Sequence, residues 1–229
     1  MKILAIGAHP DDIEIFMFGL LTRFKERGDD IFTIVATDGA KGGETKGQSL
    51  IKIRIEEARR GLDSLCLPVF LNIPDGELGE MNSHKTLIKE RIFEIMPDLI
   101  VTHSPNDYHS DHRSLSLLTR NVASHYIPIL YCDTLMGINF QPNYYVDISN
   151  SFDKKINAIL EHKSQKPQRF VDLSHLMNSF RAAQCNSPKG TFAEAYNFQP
   201  SFPFTDIRNL LPSQPKLRPF YIENKFGFL

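Results

Sequence analysis

The chain reads as an α/β protein: a Rossmann-like three-layer sandwich with a mainly parallel sheet, helices on both faces and a C-terminal cap-like extension. Three observations predict it. Short β-branched runs alternate with stretches of helical apolar spacing from the first residue to about residue 134. Each run ends on a polar or glycine-bearing turn, which is where an open parallel sheet carries its ligand site. The length of 229 residues suits one large domain able to bury a sizeable core. A single domain over 1–229 is therefore expected, with a core at 1–134 and C-terminal helices with a proline- and aromatic-rich tail at 135–229.

Lys2 to Gly7 is a short apolar run stopped by Gly-Ala-His-Pro-Asp-Asp, hence a buried first strand. Asp11 and Asp12 can cap the next helix, whose apolar positions Ile13, Phe16, Met17, Leu20, Leu21 and Phe24 recur at helical spacing until Gly28. Ile31 to Thr37 is a second strand, followed by a glycine-rich loop over 38–43. Ile51, Ile55, Ala58, Leu62 and Leu65 mark a helix beginning near Ser49, and Pro68 precedes a third strand at Val69 to Leu71. After the turn Ile73 to Gly76, a helix fits Ser83 to Met96 and a strand fits Leu99 to Thr102. The polar segment His103 to His112, a helix Arg113 to Ser124 and a strand Pro128 to Cys132 continue the alternation. Beyond it the period weakens: a strand is expected at Tyr144 to Ile148, helices at Phe152 to His162 and Leu173 to Ala183. Six prolines between Asn186 and Phe220 suggest an extended tail lying on another surface, as a pocket wall or subunit contact.

Composition excludes several function classes. Hydrophobic residues make up 41% and charged residues 23%, so neither disorder nor a fibrous chain is expected. A formal net charge of −1 gives no general pull toward nucleic acid or an anionic membrane. No apolar run is long enough to span a bilayer and no secretory signal is visible, which points to the cytoplasm. Cys66, Cys132 and Cys185 are odd in number and far apart, which fits reduced thiols.

Two strand ends carry the chemistry. The first delivers His9, Asp11 and Asp12; the fourth delivers His103, Asp107, His109, Asp111 and His112. A catalytic divalent ion wants three ligands of imidazole and carboxylate type and an open position. His9 and Asp12 can clasp such an ion across the first turn while His112 reaches it from the other loop, with zinc as the default and iron(II) or cobalt accepting the same donors. Asp11 is then left over, and a carboxylate beside the water on such an ion is a general base. The predicted chemistry is hydrolysis. Either aspartate alone would be an ordinary helix cap; the joint pattern is what argues for a site. Topology alone also allows a nucleotide-binding enzyme, but two acidic side chains in the first strand–helix turn would repel a pyrophosphate.

Through Ala8-His9-Pro10-Asp11-Asp12 and His109-Ser110-Asp111-His112 the chain resembles the PIG-L/LmbE family of zinc-dependent N-acetylglucosaminide deacetylases. Further pieces match in order: Thr37-Asp38-Gly39, Arg54 with Glu57, Pro74-Asp75-Gly76, Val146-Asp147-Ile148, His162 to Gln165 and Ala193 to Tyr196. The resemblance implies His9, Asp12 and His112 as zinc ligands and Asp11 as general base. It also implies His109 as the protonated imidazole that supports the tetrahedral intermediate or leaving amine, Asp111 as a residue that orients a histidine, and Arg54 and Asp75 as sugar-hydroxyl contacts. The expected partner is a small amino-sugar substrate, with a homo-oligomer compatible. Two departures bear on specificity: Phe16-Met17-Phe18-Gly19 puts bulk near the site mouth, and Arg181 to Cys185 lacks the glycines many relatives carry. No arginine lies between Arg120 and Arg169, which leaves a second oxyanion donor unassigned. A deacylase for a non-hexosamine amide and a non-catalytic, metal-containing carbohydrate-binding protein are the competing readings.

Overall fold

A computed structural model describes residues 1–43, 46–79 and 82–216. Seven strands form one sheet: β1 (Lys2–Gly7), β2 (Asp30–Thr37), β3 (Val69–Ile73), β4 (Leu99–Thr102), β5 (Ile129–Cys132), β6 (Tyr144–Asp147) and β7 (Ala193–Phe198). Their order is β3-β2-β1-β4-β5-β7-β6. The first five run parallel, and β7 is antiparallel to both of its neighbours. This is the α/β architecture expected, and the order reverses between β1 and β4, where a doubly wound sheet opens a crevice.

The alternation of side chains along β1 builds two cores. Ile3 and Ala5 face one side with Leu21, Phe24, Leu62 and Phe152; Leu4 and Ile6 face the other with Ile88, Ile92, Leu115 and Val122. The helices divide accordingly. Helices α1 (Asp12–Phe16), α2 (Phe18–Arg27), α3 (Gln48–Leu62) and α6 (Phe152–Leu160) cover the first face, and α4 (Asn82–Ile95) and α5 (Ser110–Ala123) the second. Helix α7 (Gln168–Gln184) packs against β7.

Three expectations need correction. The first helix is two: Met17 leaves helical geometry at φ −132°, and a new helix starts where the carboxylate of Glu194 accepts the Gly19 and Leu20 amides at 2.9 and 2.7 Å. A distant anion caps α2, a tertiary device that periodicity does not show. Helix α5 begins at Ser110, so Asp111 and His112 sit in its first turn, with His109 as N-cap. The segment from Asn186 is not simply a tail, because Ala193–Phe198 is a sheet strand inserted between β5 and β6; its end, 217–220, lies outside the described residues. Cys66, Cys132 and Cys185 are all free, and no helix among the described residues is long and apolar enough to cross a membrane.

Candidate active site

Parallel pairing of Ile6 with Thr102 brings the ends of β1 and β4 level, so the turns that follow them meet. The Ala8 amide donates to His103 Nε2 at 3.1 Å, tying one turn to the other. Asp12 lies at the centre: its Oδ2 accepts from the His9 amide at 2.6 Å. The same oxygen is 3.3 Å from His9 Nδ1, 3.1 Å from His103 Nε2 and 3.3 Å from His112 Nε2. The rings of His103 and His112 stack with centroids 3.7 Å apart, and His109 stacks on His112 at 4.7 Å.

All eight residues given a role from the sequence come to this crevice, with Arg54 turned to Asp11 rather than outward to a substrate. Asp111 Oδ2 is 3.2 Å from His9 Nε2 and accepts the Gly76 amide, so its carboxylate orients His9. His109 is held by the backbone, its Nδ1 accepting the Asp111 amide at 3.3 Å. Arg54 is buried and faces inward: Nη2 pairs with Asp11 Oδ2 at 3.1 Å and donates to Pro10 O at 2.8 Å, while Nη1 donates to Gly39 O at 3.1 Å. Asp75 is 3.5 Å from His9 Nε2 and accepts the Lys41 amide. Asp107, to which no role was given, is 3.0 Å from His112 Nδ1 and fixes its ring. The only sequence signal for it is its place in the same polar loop. Arg169 and Phe170, from the first turn of α7, also line the cleft; the weak amphipathic period of that helix gave no hint of them.

Asp11 carries backbone strain, at φ 144° and ψ −21°. A non-glycine residue in that region costs about 1–3 kcal/mol and persists only where its surroundings impose it. Here Arg54 grips both the Asp11 carboxylate and the preceding carbonyl.

Charge follows from these contacts. Burial raises the pKa of the Asp11 carboxyl, with Arg54 opposing. Burial also resists ionisation of Asp12, yet the imidazoles of His112, His103 and His9 hold it well below the usual carboxylate range. His103, fully buried beside His112, falls to about 4 and is a neutral imidazole at pH 7. Burial works against a charge on His112, but Asp12 and Asp107 lift it to about 9. Asp75 is driven down to about 2, burial being outweighed by His9 and the Lys41 amide.

The donor chemistry fits a divalent ion. Nitrogen and oxygen atoms of His9, His109 and His112, of Asp12, His103 and His112, and of His9, Asp75 and Asp111 each lie within 4.8 Å of one another. Of the predicted ligands, His9 and His112 share the first group, Asp12 and His112 the second, and His9 recurs in the third. Above them opens a cleft of about 300 Å³ lined by His9, Asp11, Arg54, Asp75, Tyr108 and His109 among others.

A doubly wound sheet with imidazoles and carboxylates, rather than a phosphate-cradling glycine loop, at its switch point defines a Rossmann-like protein with a metal-type donor site. Residues 4–123 match the family model described as GlcNAc-PI de-N-acetylase, PIG-L, and the chain belongs to that family. The diacetylchitobiose deacetylase of Thermococcus kodakarensis is 29% identical over 194 residues, covering 75% of this chain and 73% of the relative. The uncharacterized deacetylase YaiS of Escherichia coli K12 is 34% identical over 175 residues, covering 71% of this chain and 90% of the relative. Among solved structures, the 4-carboxy-2-hydroxymuconate hydratase GalB of Pseudomonas putida KT2440 superposes with a TM-score of 0.78 at 17% identity, over 90% of this chain and 99% of that one. That likeness concerns fold alone; the reaction has to be argued from the side chains.

Proposed function

We propose that the chain is a metal-dependent hydrolase that removes the N-acetyl group from an N-acetylglucosamine-type sugar or sugar conjugate. The observation that carries this reading is the Asp11 carboxyl, strained, buried and gripped by Arg54, beside the His9–Asp12–His112 cluster. A purely structural metal would not require it. Family membership and the two deacetylase relatives support the same reaction.

His9, Asp12 and His112 would hold the ion, with zinc the first choice and iron(II) or cobalt(II) accepting the same donors. Such an ion, when bound, polarises an amide carbonyl and makes water acidic enough to attack at neutral pH. The rest falls to the protein. Asp11, its pKa raised by burial, takes the proton from the attacking water and returns it to the leaving nitrogen, so that the C–N bond breaks to acetate and an amine. His109 Nδ1 accepts a backbone amide, so the neutral ring carries its proton on Nε2 and donates from there to the carbonyl oxygen as charge develops. This reading gives His109 a neutral, hydrogen-bond-donating role in place of the protonated one implied by resemblance. Asp111 and Asp107 fix the rings of His9 and His112. The guanidinium of Arg54 is engaged with Asp11, so we assign Arg54 to positioning the base and leave sugar hydroxyls to Asp75.

The test is to incubate zinc-loaded protein with a panel of N-acetylated sugars and sugar conjugates and to measure free amine. Asp11→Asn is expected to keep the metal and lose at least about a hundredfold in kcat, while His112→Ala is expected to lose the metal by elemental analysis. Amine release from no member of the panel would favour the carbohydrate-binding reading, and an active Asp11→Asn would remove Asp11 as base.

A further inference from the structure

Beside the cleft lies a second, smaller chamber of about 40 Å³, and the two share the side chains of Ile15, Phe16 and Leu135 as a common wall. One water needs about 10–15 Å³ on this scale, so the chamber admits about three non-hydrogen atoms. Its outer side is Leu173 and Met177 of α7, and its floor includes Asn178.

Helix α7 is built inside out at this point. Ser174, Asn178 and Arg181 face the protein at 5, 7 and 4% exposure, whereas Leu176 and Phe180 face solvent at 55 and 50%. Arg181 has a reason to be inside, a two-pronged pair with Asp133 at 2.6 and 3.0 Å. Asn178 is half explained: its Nδ2 donates to Ala193 O at 2.9 Å, which fixes the orientation of the amide, and its Oδ1 is buried with no hydrogen-bond partner. A buried acceptor left unpaired costs about 1–3 kcal/mol. Such an atom on the wall of a chamber is a place for a ligand's donor.

Position along the sheet says which part of a substrate would arrive there. Asp75 follows β3, the metal-type cluster follows β1 and β4, and the chamber lies beyond β5, with Thr134 and the β7 residue Ala195 in its wall. An amide whose carbonyl sits at the cluster and whose sugar reaches toward Asp75 must direct its acyl group the other way, past Phe16. We propose that the chamber is the acyl subsite, and that it takes the last two carbons and the hydroxyl of a short acyl chain of about four carbons, the hydroxyl donating to Asn178 Oδ1. This rests on the N-deacetylase reading of the cleft and extends the acyl group it takes beyond acetyl. The reaction is ordinary hydrolysis: water gives its oxygen to the carbonyl carbon, the C–N bond breaks, the leaving nitrogen takes up one of the water's protons to become the amine, and the acid leaves as carboxylate with the other proton released.

The probes are glucosamine bearing N-acetyl, N-butyryl and N-(3-hydroxybutyryl) groups, compared by kcat/KM. Each methylene buried in the chamber is expected to raise kcat/KM about fourfold. The hydroxyl adds about a further fivefold over butyryl. Met177→Trp, which fills the chamber from its outer wall, should lower the butyryl-to-acetyl ratio about tenfold or more. Asn178→Leu should abolish the advantage of hydroxybutyryl over butyryl while leaving the butyryl-to-acetyl ratio in place, a pattern that general loosening of α7 does not produce. Cleavage of acetyl with a steady fall through butyryl and hydroxybutyryl would overturn the acyl subsite and leave the deacetylase reading standing. Cleavage of none of the three would remove both.

Discussion

Replacing Arg54 with Met separates two jobs that the structure gives one side chain. The guanidinium donates to Pro10 O and Gly39 O, and it pairs with Asp11 Oδ2 at 3.1 Å. Losing the two carbonyl contacts costs about 2 kcal/mol at any pH. Losing the pair leaves a buried carboxylate uncompensated, about 2 kcal/mol more once Asp11 can partly relax or take up a proton. The pair's share depends on pH. The folded-state pKa of Asp11 is already raised by burial, and without Arg54 it rises further. A carboxyl raised in this way contributes its full stability below the unfolded pKa of about 3.9 and loses it as pH climbs through the folded value. The variant should therefore be destabilised more at high pH than at low pH, by about 4 kcal/mol where Asp11 is ionised and about 2 kcal/mol where it is protonated. For a chain of this size that is a drop in Tm of about 8–16 °C against about 4–8 °C. The protein has no tryptophan, so unfolding is best followed by circular dichroism, with EDTA present to keep metal charge out of the comparison. An equal drop at high and low pH would mean that Arg54 braces only the backbone carbonyls and does not hold a charged Asp11.

Other substitutions probe the surrounding scaffold. Asp107→Asn weakens the clamp on His112 Nδ1 and should lower zinc affinity about 10–100-fold in competition with a chromogenic chelator; unchanged affinity would assign that ring's orientation to something else. Glu194→Gln strands Lys155, whose Nζ sits 2.8 Å from Glu194 with both side chains about 2% exposed, and should cost about 3–5 kcal/mol in urea unfolding. Adding Lys155→Met should restore most of it, and failure to do so would shift the loss to the cap on α2. Gly19→Ala would place a methyl 2.6 Å from Ile148 Cγ2 and 2.9 Å from Glu194 Oε1, so about 1–3 kcal/mol of destabilisation is expected; a neutral result would show that α2 can shift.

What could be read from residues alone was what depends on local period. β1, β2 and β4 alternate or run apolar, their ends carry polar turns, and a parallel sheet follows from that pattern with its crevice at the β1/β4 reversal. The metal-type donors were legible for the same reason, since His-Pro-Asp-Asp and His-Ser-Asp-His are fixed to strand ends a few residues away. What escaped was set by distant contacts. The break at Met17 depends on Glu194, far along the chain. Which histidine Asp111 faces, His9, depends on which side of the first α5 turn faces β1. Helix α7 was placed but its reach to Arg169 was missed, because a helix that buries Ser174 and Asn178 and exposes Leu176 and Phe180 has no amphipathic period to follow.

The place of β7 in the sheet also governs when the protein can become a protein. Tyr144–Asp147 pairs with no other strand, among the described residues, than Ala193–Phe198, which is made about fifty residues later and slots between it and β5. Every residue of the metal-type cluster has left the ribosome well before then, yet β5 still offers a bare ladder of amides and carbonyls to any passing strand. A nascent or truncated chain ending short of Ala193 would carry a complete set of ligands on a sticky, unfinished sheet, so β7 acts as the closing seam of the described sheet.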